Sequence, residues 1–217
     1  MKAMIFAAGL GTRLKPFTLE HPKALVPVGG IPMLERVMRK LIGAGANDIV
    51  LNAHHFADQI VDFISHGDWG DTRITISDES GLLLDTGGGI LNARKWLENT
   101  NAPIIVHNAD ILTDFDLCKM INCHLEKSPL ATLLVKKRET TRYIAFDNDM
   151  LMKGWTNVAS GERKPADLQY DDYNLYAFGG VHLISPKIFP LLKQFAKGQD
   201  VFSIMSFYIS ACHSHRI

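Results

Sequence analysis

Short apolar runs alternate with segments of helical period from the first residues of the chain. Ala3 to Ala7 reads as a strand, Leu34, Val37, Met38, Leu41 and Ile42 fall on one helical face, and Ile49 to Leu51 is a second strand. The alternation continues with a helix near Asp58 to Ile64, a strand Ile74 to Ser77, a helix Ile90 to Leu97 and a strand Ile104 to Val106 bounded by turn residues. Strands that are apolar throughout and separated by helices have both faces buried. They predict an α/β fold built on a mostly parallel sheet flanked by helices.

The pattern changes in the second half. Ala131 to Val135 resumes a strand, but Tyr143 to Phe146 and Met150 to Trp155 read as a hairpin around Asn148-Asp149, followed by a Gly/Lys/Pro-bearing loop from Asn157 to Asp172. Tyr176 to Ile184 is a further strand, and Val201, Ile204, Met205, Tyr208, Ile209 and Cys212 share a helical face. The expectation is one domain over 1–217 with a small antiparallel insertion at 136–175 on the substrate side. No internal repeat or linker interrupts it.

Composition narrows the functional classes. With 217 residues and 47% apolar content the chain can bury one good core. Its 23 basic residues balance 23 acidic ones, so no global positive field would hold a nucleic-acid backbone or an anionic membrane. No stretch has the length of a signal h-region or a membrane span, and the expected compartment is the cytoplasm. Cys118, Cys123 and Cys212 lack metal or disulfide spacing and read as reduced thiols. No oligomeric state is legible.

The chemistry concentrates in AAGLGTRLKPFTLEHPKALVPVGG, Ala7 to Gly30, directly after the first strand. In an open α/β sheet ligands collect at the carboxyl ends of strands, where Gly9 and Gly11 let backbone N–H groups approach phosphate oxygens; Ala8 and Thr12 belong to the same turn. A dinucleotide fingerprint would need a third glycine where Leu14 stands, and a P-loop needs Gly-Lys-Ser/Thr closing the turn. Arg13 and Lys23 instead bring two cations to one glycine loop, which suits a triphosphate.

These motifs resemble those of the sugar-phosphate nucleotidyltransferases, whose fold is the Rossmann-like nucleotide-diphospho-sugar transferase type. The resemblance runs from Met1 to about Ile217. It is densest at Ala7 to Val28, Asp85 to Ile90 and His107 to Asp116, and Thr86 to Ile90 (TGGGI) is similar to the muramate and mannose 1-phosphate branch. It implies ordered addition of an NTP and a sugar 1-phosphate, with Mg²⁺. By the same resemblance Arg13 grips the triphosphate, and Lys23 contacts the α-phosphate and the incoming sugar phosphate. Ala24 departs from a second proline in many relatives and Ala109 from a glycine. A second metal-binding aspartate, usual in a Trp/Leu-x-Asp-x-Gly turn, is absent up to Ile217, and the expectation is a chain shorter than its gene product.

Three further readings complete the site. Thr86, Gly87 and Gly88 offer a side-chain-free backbone on which a nucleobase can lie, and Asp78 or Glu79 can accept the N–H of uracil or guanine. Asn108 and Asp110 end an apolar strand, and Asp110 is the expected Mg²⁺ ligand because that ion takes one or two carboxylates plus phosphate oxygens and water. Asp114 and Asp116 read as helix caps. Tyr143, Asn174 and Gly179 are placed near a sugar pocket by location alone, Trp155 reads as core, and the histidine pairs 54/55 and 213/215 do not read as metal ligands. The expected activity is transfer of a uridylyl group to N-acetylmuramate 1-phosphate, with GTP and mannose 1-phosphate as the alternative. A nucleotide-binding regulatory module without turnover is the rival of another class.

Overall fold

The computed structural model describes residues 1–217. Eleven strands and seven helices follow in the order β1 (Lys2–Phe6), β2 (Pro27–Val28), β3 (Ile31–Pro32), α1 (Met33–Gly43), β4 (Asp48–Ala53), α2 (Ala57–His66) and β5 (Arg73–Asp78). Then come α3 (Asp85–Asn92), α4 (Arg94–Leu97), β6 (Ile104–Asn108), α5 (Leu117–Lys127), β7 (Ala131–Lys136), β8 (Arg142–Phe146) and β9 (Met152–Asn157). The chain ends with β10 (Glu162–Lys164), β11 (Asn174–Ile184), α6 (Ile188–Ala196) and α7 (Ile204–Ala211). No helix is long and apolar enough to cross a membrane.

The main sheet runs β10-β9-β8-β11-β6-β1-β4-β5, with β7 also on β11. β6, β1, β4 and β5 are parallel neighbours; β11 turns the direction, and β8, β9 and β10 extend it antiparallel. The sheet is buried on both faces, which is why its central strands read as unbroken apolar runs. Met4, Val50 and Val106 pack with Ile90, Leu97, Phe189 and Tyr208 on one face. Ala3, Ile5, Ile49, Leu51 and Ile105 pack with Leu34, Val37, Leu41, Ile60 and Leu117 on the other.

Several boundaries differ from those the sequence predicts. The helix expected to start at Ile90 starts at Asp85, so Thr86 to Gly89 lie inside α3, and the helix breaks at Ala93 before α4. The loop expected from Asn157 to Asp172 holds β10, paired with β9. Val201, placed on a helical face by its spacing, lies before α7, whose N-terminus is capped by Ser203 accepting from the Met205 amide at 3.2 Å. Asp116 caps α5 through the Cys118 amide at 2.9 Å, as its position predicts. Asp114 is no cap.

Candidate active site

The carboxyl ends of the parallel strands are tied together by side chains. Asn52, at the end of β4, accepts from the Ala7 amide at 2.8 Å and donates to Glu79 at 2.9 Å. Glu79, directly after β5, also accepts from the Leu84 amide at 3.4 Å, and its own carbonyl lies 2.6 Å from the His54 Nδ1. The side chain is only 3% exposed, and burial raises the Glu79 carboxyl above its ordinary value, against the pull of its hydrogen bonds to Asn52 and Leu84. The Ala109 amide donates to Phe6 O at 3.0 Å and closes the β1–β6 side.

Above this floor lies a cleft of about 420 Å³. Ala8, Gly9, Lys23, Glu79, Thr86, Asn108 and Asp110 line it, all seven named from the sequence, with Asp85 at the start of the Asp85 to Ile90 motif and with Asn52, Leu83 and Val201, which the sequence did not point to as site residues. A lone asparagine ending the apolar run of β4 was the available signal for Asn52. Gly11 stands behind the lining in the left-handed region, at φ 63°, with its carbonyl accepting from Leu14 N and Thr18 Oγ1, each at 2.9 Å. A Cβ there would meet Thr18 Cγ2 at 2.7 Å and Lys23 Cβ at 2.9 Å. Glycine therefore lets the loop close against the stem of Lys23. Buried Ala24 anchors the next position in the core, and Lys23 Nζ pairs with Asp110 Oδ2. Thr12 and Arg13 sit exposed on the 3₁₀ turn Thr12–Leu14, outside the lining.

The room left by the glycines of α3 is filled from within the protein. The Gly87 and Gly88 amides donate to Phe202 O at 2.8 and 3.1 Å, and Thr86 Oγ1 accepts from Ile204 N at 3.0 Å. A Cβ on Gly88 would lie 2.1 Å from Asp200 O, and one on Gly87 2.4 Å from the Phe202 ring. The expectation of a free flat surface at Gly87 and Gly88 is corrected accordingly: Asp200 to Phe202 occupies it. The same docking brings Val201 to the cleft wall.

The residues placed near a sugar pocket by location are not gathered there. Tyr143 Oη accepts from Thr140 N at 3.1 Å, Asn174 donates to Asn148 at 3.3 Å, and Gly179 lines a separate cavity. Trp155 packs against the core. No three His, Cys, Asp or Glu side chains converge in a way that would hold a metal. Asp110 supplies one partly exposed carboxylate beside the glycine loop, which fits a cation that takes the rest of its shell from phosphate oxygens and water.

A family model described as nucleotidyl transferase matches residues 2–200. The chain is 40% identical over 110 residues to the N-acetylmuramate alpha-1-phosphate uridylyltransferase of Caulobacter vibrioides, covering 50% of this chain and 45% of that protein. It is 30% identical over 198 residues to the mannose-1-phosphate guanyltransferase of Pichia angusta, covering 89% of this chain and 52% of that one. These matches span about half the length of each curated relative. Among solved structures, HddC from Yersinia pseudotuberculosis, complexed with GMP-PN, superposes with a TM-score of 0.72 at 25% identity, over 94% of this chain and 83% of that one.

Proposed function

The chain belongs to the nucleotidyl transferase family, and from that premise we propose that it joins an NTP to a sugar 1-phosphate, releasing pyrophosphate. The observation that supports this most is the convergence of Lys23, Asp110 and the Ala8-Gly9 backbone on one cleft at the ends of β1 and β6. In this reading a phosphate oxygen of the sugar 1-phosphate attacks the α-phosphorus of the NTP. The bond to the oxygen bridging the β-phosphorus breaks, and pyrophosphate leaves. The attacking phosphate is already an anion, so no general base is needed, and the protein's task is to position and neutralise charge.

In this reading Lys23 leaves Asp110 and screens the two approaching anions. Mg²⁺, when bound at Asp110, would neutralise phosphate charge. The Ala8 and Gly9 backbone receives phosphate oxygens, while Glu79 and Asn52 hold the floor rigid, with Thr86 and Asn108 as the side walls. Arg13 grips the triphosphate if the Thr12–Leu14 turn folds over the cleft. The Caulobacter relative favours UTP with N-acetylmuramate 1-phosphate, and the Pichia relative keeps GTP with mannose 1-phosphate as the second reading.

The test is pyrophosphate release across a grid of NTPs and sugar 1-phosphates. Release with the UTP and N-acetylmuramate 1-phosphate pair above all others supports the first reading, and release with GTP and mannose 1-phosphate the second. Tight NTP binding without release under any pairing would favour the regulatory module.

A further inference from the structure

The cleft has a charged end and an apolar end, and the order of the strands sets them apart. Lys23, Asp110 and the Ala8-Gly9 backbone gather beyond β1 and β6, whereas Glu79, Leu83 and Thr86 follow β5. β4 lies between β1 and β5, so two strand spacings, about 10 Å, separate the two ends. With its phosphates held over β1, an NTP crosses β4 with its ribose and lays its base over β5. This placement rests on the NTP reading of the cleft.

At the β5 end the wall is finished by a segment from much later in the chain. The Phe202 amide donates to Leu84 O at 3.3 Å, and the Gly87 and Gly88 amides donate to Phe202 O at 2.8 and 3.1 Å. The Ile204 amide donates to Thr86 Oγ1 at 3.0 Å, and the buried Phe202 ring packs 5.7 Å from the ring of Phe195 on α6. The backbone is thereby fixed to α3 and anchored in the core. Val201 sits between these anchors, on the same side of the cleft as Leu83, and is 48% exposed although apolar. Its β-branch restricts χ1, so a fixed backbone carries a fixed side chain. Such a wall does not swing aside for a larger ligand.

We propose that Val201 is a specificity-determining residue that limits the depth of the nucleobase slot, so that the single ring of a pyrimidine fits and the fused rings of a purine are crowded. The cleft leaves little slack. Its volume of about 420 Å³ stands near the low end of the range for ligand sites, about 300–1,000 Å³, and it has to admit base, ribose and phosphates together. Side-chain volume at position 201 then acts on the base and leaves the phosphate end untouched. Because the wall works by exclusion, a polar residue of the same shape serves as well as valine. The choice between UTP and GTP lies in this docked segment rather than in the glycine loop.

The test is a volume series at one position, Val201→Ala, Val201→Thr and Val201→Ile, with UTP and GTP affinities measured by calorimetric titration of the whole chain at saturating Mg²⁺. The ratio of UTP to GTP affinity should fall by about tenfold in Val201→Ala, the lower end of what one methylene achieves in a pocket. It should be unchanged in Val201→Thr and higher in Val201→Ile. Pyrophosphate, a probe of the charged end alone, should bind all four proteins equally. Unfolding midpoints should stay together, since the side chain is exposed. Val61→Ala, which removes an equally exposed valine from α2, should leave the ratio at its parent value. A ratio unmoved in Val201→Ala, or moved as far by Val201→Thr, would overturn the proposal while leaving the NTP reading intact. A parent chain that binds neither nucleotide would overturn the NTP reading and the proposal with it.

Discussion

Lys23 and Asp110, 87 residues apart in the chain, form an ion pair at the mouth of the cleft, with side chains 20% and 35% exposed. The pair neutralises in the free protein the two charges that the proposed reaction needs separately. At this exposure it contributes less than about 1 kcal/mol to stability. Its value is positional: each partner keeps the other pointed at the glycine loop.

Lys23→Ala and Asp110→Asn should therefore leave the unfolding midpoint nearly unchanged and each lower turnover by about two to three orders of magnitude. Pyrophosphate release and thermal unfolding on the same samples separate the two effects. A variant that keeps native turnover removes that residue from the proposed chemistry.

Gly11→Ala should be damaging although it adds one methyl group. The position has φ 63°, and the new Cβ would sit 2.7 Å from Thr18 Cγ2 and 2.9 Å from Lys23 Cβ. Left-handed strain and overlap together cost about 2 kcal/mol, and relief by loop displacement moves Lys23 off the cleft. NTP affinity should fall by about tenfold or more, measured by titration. Native affinity would show that the loop absorbs the methyl without moving Lys23.

Gly88→Val is expected to act through packing before it acts through any ligand. Its Cβ would meet Asp200 O at 2.1 Å, and the segment held by the Gly87 and Gly88 amides would be driven off α3. We expect a loss of about 3 kcal/mol in unfolding free energy and exposure of Val201 and Phe202 to proteolysis. If the variant is as stable as the parent and still loses NTP binding, the glycine backbone itself contacts the nucleotide.

Acid should weaken the fold through His182. This residue is fully buried with its Nδ1 2.6 Å from the Tyr208 hydroxyl, and burial, reinforced by His107, lowers its pKa from 6.5 to about 3. Between those values the unfolded chain binds a proton that the folded chain refuses. Stability is then present above pH 6.5 and falls as the pH drops toward 3, by up to about 5 kcal/mol. His182→Gln, which keeps an acceptor for Tyr208, should flatten the slope of denaturant-derived unfolding free energy against pH in that window. An unchanged slope would assign the acid sensitivity to other groups.

The sequence by itself determined the strand and helix alternation, because burial on both faces forces apolar runs in β1, β4 and β6 and a 3.6-residue stripe in α1. It also exposed the glycine loop, Lys23, Asn108 and Asp110, since strand ends followed by glycine, cation and carboxylate form a local pattern. Tertiary structure alone decided which glycines face the cleft. Gly87 and Gly88 look open in one dimension, but Asp200 and Phe202, more than a hundred residues later, fill the space. Nor could spacing reveal that Asn52 joins Ala7 to Glu79, that Val201 reaches the cleft, or that Arg36, Lys40, Lys136 and Arg138 line one cavity. Each of these depends on which strands become neighbours, and that order is set by the packing of the whole sheet rather than by any local stretch of residues.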